Sequence, residues 1–462
     1  MSIVACAGRR VTGGHSGDHG EFRPVRKTQV VVVGGGAAGL ELVRWLGANY
    51  GREGHNITLV EKYPTHIWKP LLHEVAAGSL DANLDEVGYR SHCHRWGYRF
   101  FLGSIEGIDR AARQIVVAPL LDVDGRELIG RHRIAYDYLV IAIGSVTNDF
   151  ATPGVSSNCL FLDSRADADG FRDRLLNQCL RVSRALSENP AADDAVRVAI
   201  VGGGATAVEL AAELYNAASA LHYYGLEGFD ESRLQVSLLE AGPRILPGLP
   251  EKLADAARAE LEALGVRVQT DVRVTGATPA ALRTQAGVEI MADLKVWAAG
   301  VRGPDILRDP HMGGLETSVS CQLLVRPTLQ VTRDEAIFAI GDCCSCTLPG
   351  AKGPVPPRAQ AAHQMALATY RNLGRLMRGQ APRDFVYRDR GSLVSLSRFS
   401  TVGSLMGNLI GGRMAIEGRI ARFVYMSLYR MHLFAIHGVM RGLALILIGH
   451  VSRILRPRLK LH

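Results

Sequence analysis

The chain has 462 residues, 47% hydrophobic and 21% charged, a folded globular composition too long for one ordinary core, so two packed domains and an appendage are expected. Its net charge of +8 is confined to one end: from Arg413 on, Arg413, Arg419, Arg422, Arg430, Arg441, Arg453, Arg456, Arg458 and Lys460 meet one acid, Glu417, and their excess equals that of the whole chain. A neutral body with a basic, apolar tail argues against a nucleic-acid groove and suits an anionic lipid surface, while the 8 unevenly spaced cysteines exclude a disulfide scaffold and fit a reducing cytosol.

Residues 1–27 hold Gly, His and Arg without an apolar run long enough for a secretory signal, and read as a disordered extension. Val30 to Leu42 then reads as an apolar strand, a glycine turn and a helix. Gly34, Gly36 and Gly39 form G-x-G-x-x-G: the first allows the tight turn, the second lets backbone N–H groups reach a pyrophosphate, and the third lets helix and strand pack closely. Asn56 to Glu61 is a short strand whose terminal carboxylate can accept both hydroxyls of a ribose. Tyr138 to Gly144 is another apolar strand ending in glycine.

The pattern then repeats. Val198 to Leu210 matches Val30 to Leu42 position for position, with Gly202, Gly204 and Ala207 in the glycine places. Gln235 to Glu240 repeats the strand ending in an acid, and Leu294 to Gly300 repeats the strand ending in glycine. Because the echoes keep their order, two nucleotide-binding units are expected, with helical segments at Ala166 to Asn189 and Glu251 to Leu264. A carboxylate at Glu240 accepts from a free 2′-hydroxyl and repels a 2′-phosphate, which favours NADH over NADPH; Arg244 nearby can soften that preference. Ile337 to Ile340 leads into Gly341-Asp342, where a carboxylate can meet a ribityl chain, so the first unit is expected to hold FAD and to be completed by a returning strand. Cys343, Cys344 and Cys346 follow, with a structural reading preferred and zinc disfavoured for want of a second ligand cluster. Past Phe385 come Gly-punctuated apolar segments and two expected helices, near 420–434 and 436–455. The uninterrupted apolar stretch Gly442 to Gly449 falls far short of the roughly 20 residues of a membrane span.

The two glycine runs, Trp297-Ala-Ala-Gly-Val-Arg302, Gly341-Asp-Cys343, Pro356 to Gln364 and Thr65 to Gly78 together resemble the type II NADH:quinone oxidoreductases, within the pyridine nucleotide-disulfide oxidoreductase superfamily. The resemblance implies an α/β fold of two Rossmann-like dinucleotide-binding domains, for FAD and NADH, plus a C-terminal membrane-associated helical segment. The boundaries expected are a FAD domain over 28–153 and 311–385, an NADH domain over 154–310 and a membrane-anchoring region over 386–462. It also implies residue roles. Gly34, Gly36, Ala38, Gly39, Glu61, Lys62, Gly144, Asp342, Ala359 and Gln360 fall to FAD, and Gly202, Gly204, Glu209, Glu240 and Gly300 to NADH. Glu209 lies by the nicotinamide, and Gln360 and Gln364 of the Ala-Gln-x-Ala-x-Gln signature lie beside flavin and quinone. The double proline Pro356-Pro357 starts that helix, and its N-terminus can stabilise negative charge on the reduced ring. His363 is a further proton-donor candidate, against the plainer reading of a packed histidine. The implied enzyme passes a hydride from NADH to flavin and two electrons to a membrane quinone without proton pumping, as a homodimer held peripherally on the cytoplasmic face of the cell membrane. Arg430, Arg441, Arg453 and Arg456 among apolar residues suit such contact, and removing Ile436 to His462 is expected to solubilise the protein.

Two departures from the family pattern stand out: Ala207 replaces a glycine, and the thiol cluster after Asp342 is rich. The cluster keeps a sulfide:quinone oxidoreductase-like enzyme open, with Cys159 as a partner for Cys344 or Cys346. Two further classes stay open, a soluble flavin or disulfide reductase and a non-catalytic dinucleotide sensor.

Overall fold

Two parallel sheets of the same design organise the chain. The computed structural model describes residues 27–189, 191–221, 226, 229–389, 391–396, 400–407, 412–417 and 433–455. The expected extension over 1–26, most of the expected helix near 420–434, and Arg430 and Arg456 lie outside the described residues.

In the first sheet the strand order is Ile337–Ala339, Tyr138–Ile141, Gln29–Val33, Asn56–Glu61, Arg99–Leu102, all parallel. In the second it is Arg267–Gln269, Leu234–Leu239, Val196–Val201, Leu294–Trp297, again parallel. Strands covered on both faces must be apolar throughout, and Val30 to Val33 and Val198 to Val201 are all buried. The register repeats as well: Val30 lies opposite Tyr138 and Ile57, and Val198 opposite Leu294 and Val236. Glu61 and Glu240 therefore stand on the same rung of their sheets. Each unit also carries a three-stranded antiparallel sheet before its glycine-ended strand, formed by Ile105–Asp109, Gln114–Val117 and His132–Ala135 in one, and Val274–Ala277, Ala281–Thr284 and Glu289–Met291 in the other.

The first sheet gains its outer strand Ile337–Ala339 only after the second sheet has been built, so the two are nested in the chain. Val146–Thr147 pairs with Val301–Arg302 where the chain leaves and returns. A second link is the segment after Glu61. Its helix Leu72–Ala77 packs on Arg165–Glu188 and Ala205–Leu221, and Leu71, Leu72, Val75, Ala76 and Ala77 join the second unit's core. Arg165 closes that seam, its Nη1 lying 2.5 Å from Glu86 Oε1.

The C-terminal region is helical only in part. Gly391–Leu396, Ser400–Gly407 and Gly412–Glu417 form an antiparallel sheet against Ala205–Leu221 and Glu251–Ala263, where the sequence shows Gly-punctuated apolar segments without an assigned conformation. The Gly-punctuated, short apolar runs suit strands of this length better than helices. A helical turn over 433–437 and the helix Val439–Leu455 follow, divided by Gly438 at φ +78. The turn is fastened to the first unit: Arg44 Nη1 donates to Ala435 O at 2.6 Å, His92 Nε2 lies 3.0 Å from Ile436 O, and the Ile436 side chain is 1% exposed.

Candidate functional site

Each glycine turn opens one face to solvent and closes the others. Gly34 has φ +100, and a Cβ there would lie 2.3 Å from the Ala142 carbonyl; one on Gly39 would lie 1.8 Å from Gly34 O. Gly36 is exposed, and a Cβ there would meet nothing within 4 Å, so the second glycine marks the side from which a ligand reaches the backbone. The helix Ala37–Leu46 begins here with no capping side chain and no acid in its first turn, leaving its amides directed at an anion. Glu61 Oε2 accepts from Gly35 N at 2.6 Å, which holds the carboxylate at the strand edge beside the turn. Tyr89, which the sequence did not single out, donates to Gly35 O at 2.7 Å and is 2% exposed. Ala38 is buried in the turn, and the Lys62 ammonium sits 4.9 Å from the centre of the Tyr63 ring.

The second turn is built alike. Gly202 has φ +111, its Cβ would lie 2.6 Å from Ala298 O, and Gly204 is exposed with no atom within 4 Å of a Cβ. Glu240 accepts from Gly203 N at 2.5 Å and from Gly242 N at 2.6 Å. Ala207 is fully buried, so the helix has room for the extra methyl. Arg244 turns into its own loop, donating to Leu249 O and Pro247 O, both at 3.0 Å. Gly300 accepts from Asn148 N at 2.9 Å through its carbonyl and lies against the Phe150 ring.

Asp342 follows the outer strand Ile337–Ala339 of the first sheet, two strands from the one that leads into the glycine turn. Its carboxylate accepts from Ser145 Oγ at 3.1 Å, one residue after Gly144. Burial raises its pKa, opposed by the Ser145 hydrogen bond and the Lys69 ammonium. Lys69 Nζ donates to Ser145 O and to Asp163 Oδ1, both at 3.0 Å. A largely buried carboxylate served by one hydroxyl suits a polyol that brings further O–H donors. With the open glycine turn and Glu61, these residues fit FAD.

The signature helix Ala359–Met377 starts after the double proline, with Ala359 exposed at its first turn. Gln360 and Gln364 share one of its faces and reach the next segment: Gln360 Nε2 bonds Asp389 Oδ1 at 3.0 Å and Gly391 O at 2.9 Å, and Gln364 exchanges bonds with Arg388. His363 turns to another face, where its Nδ1 lies 2.5 Å from Glu41 Oε2 on the helix of the first turn. Glu209 is 7% exposed on Ala205–Leu221, with Oε2 at 3.7 Å from His73 Nδ1. The stretch Thr65 to Gly78 contains both Lys69 and His73, but nothing in its sequence signals which of its side chains reaches the other unit.

The thiols after Asp342 are buried. Cys343, Cys344 and Cys346 are at most 3% exposed; burial pushes Cys343 up to about 12 and Cys346 up to about 11. Cys159 lies in a different core cluster, with Val155, Leu239 and Trp297, so its union with Cys344 or Cys346 is not formed. Among the described residues no group of three or more His, Cys, Asp or Glu side chains is placed to hold a metal ion.

Comparison with known proteins places this geometry. The family model for pyridine nucleotide-disulphide oxidoreductases matches residues 28–366. The chain is 47% identical, over 94% of its length and 99% of the relative's, to the type II NADH:quinone oxidoreductase of Haemophilus influenzae. It belongs to the type II NADH:quinone oxidoreductases. A Staphylococcus aureus member is 26% identical over 84% of this chain and 92% of its own. The fold of this oxidoreductase is shared with NDH2 from Plasmodium falciparum, solved with NADH, at TM-score 0.76 and 18% identity over 94% of this chain and 100% of the other. It is shared more loosely with the sulfide:quinone oxidoreductase of Aquifex aeolicus, at TM-score 0.67 and 18% identity over 92% and 95% of the two chains.

Proposed function

We propose that the protein is an FAD-dependent NADH:quinone oxidoreductase, taking a hydride from NADH and giving two electrons to a membrane quinone without proton pumping. The observation that carries the reading is the pair of glycine turns in identical register, each ending at a carboxylate, with Asp342 completing only the first. FAD, when bound, supplies a centre that accepts two electrons at once and passes them on. The protein's share is binding and alignment. In this reading Gly34, Gly36, Ala38, Gly39, Glu61, Lys62, Gly144, Asp342, Ala359 and Gln360 hold FAD; Gly202, Gly204, Glu240 and Gly300 hold NADH. Glu209 stands by the nicotinamide, and Gln360 and Gln364 border the quinone. The engagement of Arg244 with its own loop supports NADH over NADPH. The test is anaerobic: NADH should bleach the flavin absorbance of the purified protein, and a short-chain quinone should restore it. A colourless protein, or bleaching without restoration by quinone, overturns the reading.

The surface reading follows from the tail. Among the described residues no helix is long and apolar enough to cross a membrane. Val439, Met440, Leu443, Leu447 and Ile448 on the last helix are each more than half exposed, with Arg441 among them. Such a mixture supports an anchor lying in the lipid interface with the quinone entering from that side; the cytoplasmic face and the homodimer are proposed from the family resemblance alone. Because Ile436 is packed into the first unit, truncation belongs after Gly438 and not before Ile436. Removing 439–462 should release the enzyme from anionic vesicles while NADH still bleaches its flavin; unchanged co-sedimentation rules the anchor out.

A further inference from the structure

The seam between the two units holds a buried ionisable cluster that nucleotide binding alone does not explain. His73 extends from the first unit's helix Leu72–Ala77 into the second unit, where it meets two acids one turn apart on Ala205–Leu221. Its Nδ1 is 3.7 Å from Glu209 Oε2, and Glu213 acts on the same ring electrostatically. His73, Glu209 and Glu213 are 4%, 7% and 4% exposed. Asn216 Nδ2 donates to Glu213 Oε1 at 2.7 Å from the next turn. Helix positions this deep are elsewhere filled by Val208, Leu210, Ala211 and Leu214, each at most 1% exposed. Burying three ionisable side chains there is costly unless polar neighbours satisfy them, so their convergence on one seam calls for a role. Burial pushes His73 down to about 4, so near neutral pH it is an uncharged ring that stands against the Glu209 carboxylate at 3.7 Å as a packing contact across the seam.

We propose that His73 is the positioning residue of the nicotinamide side: held by the first unit, it fixes the Glu209 carboxylate of the second, with Glu213 behind it, and so aligns seated NADH with the flavin. The inference rests on Glu209 standing by the nicotinamide. Hydride transfer depends on approach geometry, and a misplacement of about 1 Å can cost about 100-fold in rate. A carboxylate braced by packing across the seam carries the relative placement of the two units to the dinucleotide.

The experiment uses the FAD-loaded enzyme in anaerobic stopped flow, reading the limiting rate of flavin bleaching and the apparent Kd for NADH, and separately the rate of reoxidation by a short-chain quinone. His73→Leu should slow bleaching about 10- to 100-fold with Kd changed less than about threefold, and reoxidation unchanged. His73→Asn, which keeps a polar side chain at the seam, should recover most of the loss. Glu209→Gln should slow bleaching similarly, and the double variant should be no slower than the worse single one. If Glu209→Gln is impaired while His73→Leu is not, or if the two losses multiply, the inference fails and the placement of Glu209 stands. If Glu209→Gln is itself silent, the placement of Glu209 falls and the inference with it. Should His73→Leu not retain flavin, His73→Ala and Glu213→Gln carry the same comparison, and normal bleaching in both overturns the proposal.

Discussion

The two glycine turns differ less in what they do than in how they are backed. In both, a carboxylate one strand away accepts from the middle glycine's amide: Gly35 N to Glu61, Gly203 N to Glu240. In both, that glycine's carbonyl is also satisfied, by the Tyr89 hydroxyl in the first and by Leu246 N in the second, at 2.7 Å each. The third position separates them, since a Cβ at Gly39 would lie 1.8 Å from Gly34 O while Ala207 is accommodated without exposure. Among the described residues only the first sheet gains a late-returning strand, followed by Asp342 bonded to Ser145. The comparison teaches that register and carboxylate are common to both turns, whereas what surrounds the turn differs.

The harshest way to break that comparison is to exchange the third residues. Gly39→Ala should displace the first helix, cost about 1–3 kcal/mol or more, and leave the protein largely without FAD, read as flavin absorbance per mole of protein. The reverse change, Ala207→Gly, should cost about 1 kcal/mol by helix propensity and leave the KM for NADH within about threefold. Full flavin content in Gly39→Ala would show the tight packing to be dispensable.

A milder exchange acts on the carboxylates. Glu240→Gln removes the charge that repels a 2′-phosphate and should move the NADPH-to-NADH ratio of kcat/KM by about tenfold, equivalent to about 1.4 kcal/mol. Glu61→Gln should loosen FAD and leave that ratio where it was. A shift in nucleotide preference from Glu61→Gln would mean that the two turns have been assigned the wrong way round.

The turns are legible because their chemistry is local. A strand, a glycine run and a strand-end acid announce themselves within a few dozen residues, and their repetition points to the α/β class and the paired design. What stays hidden depends on distant parts of the chain. Tyr89 supports a turn far behind it in sequence, Lys69 joins Ser145 to Asp163, and His73 meets Glu209 across the seam. None of these pairings has a spacing that a periodicity can carry. The tail is legible only in part: its helix near 436–455 is found as Val439–Leu455, whereas a run of Gly and apolar residues fits strand and helix alike, and the antiparallel sheet before it packs on helices of the second unit.

The smallest expected effect concerns the thiols that only the first unit carries, and it sharpens the contrast with the sulfide-oxidising enzyme of similar fold. A cysteine acts as a nucleophile through its thiolate, so burial that raises its pKa also silences it. Cys343 is pushed up to about 12 and Cys346 up to about 11, with the thiol of Cys343 directed at the carbonyls of Ile141 and Ile340. The sign is therefore fixed: at pH 8 these groups are protonated, and thiolate would accumulate only as pH rises toward those values. Treating the native enzyme with iodoacetamide at pH 8 should leave NADH-driven quinone reduction within about a factor of two and the three thiols unlabelled by mass spectrometry, because the thiolate fraction is on the order of one in a thousand or less. Cys344→Ala should remove only packing, about 1–2 kcal/mol for a small buried side chain, and leave turnover intact. Rapid labelling of Cys344 with loss of quinone reduction would place a reactive sulfur beside the flavin after all, and would make the first unit a different kind of site from the second in chemistry as well as in backing.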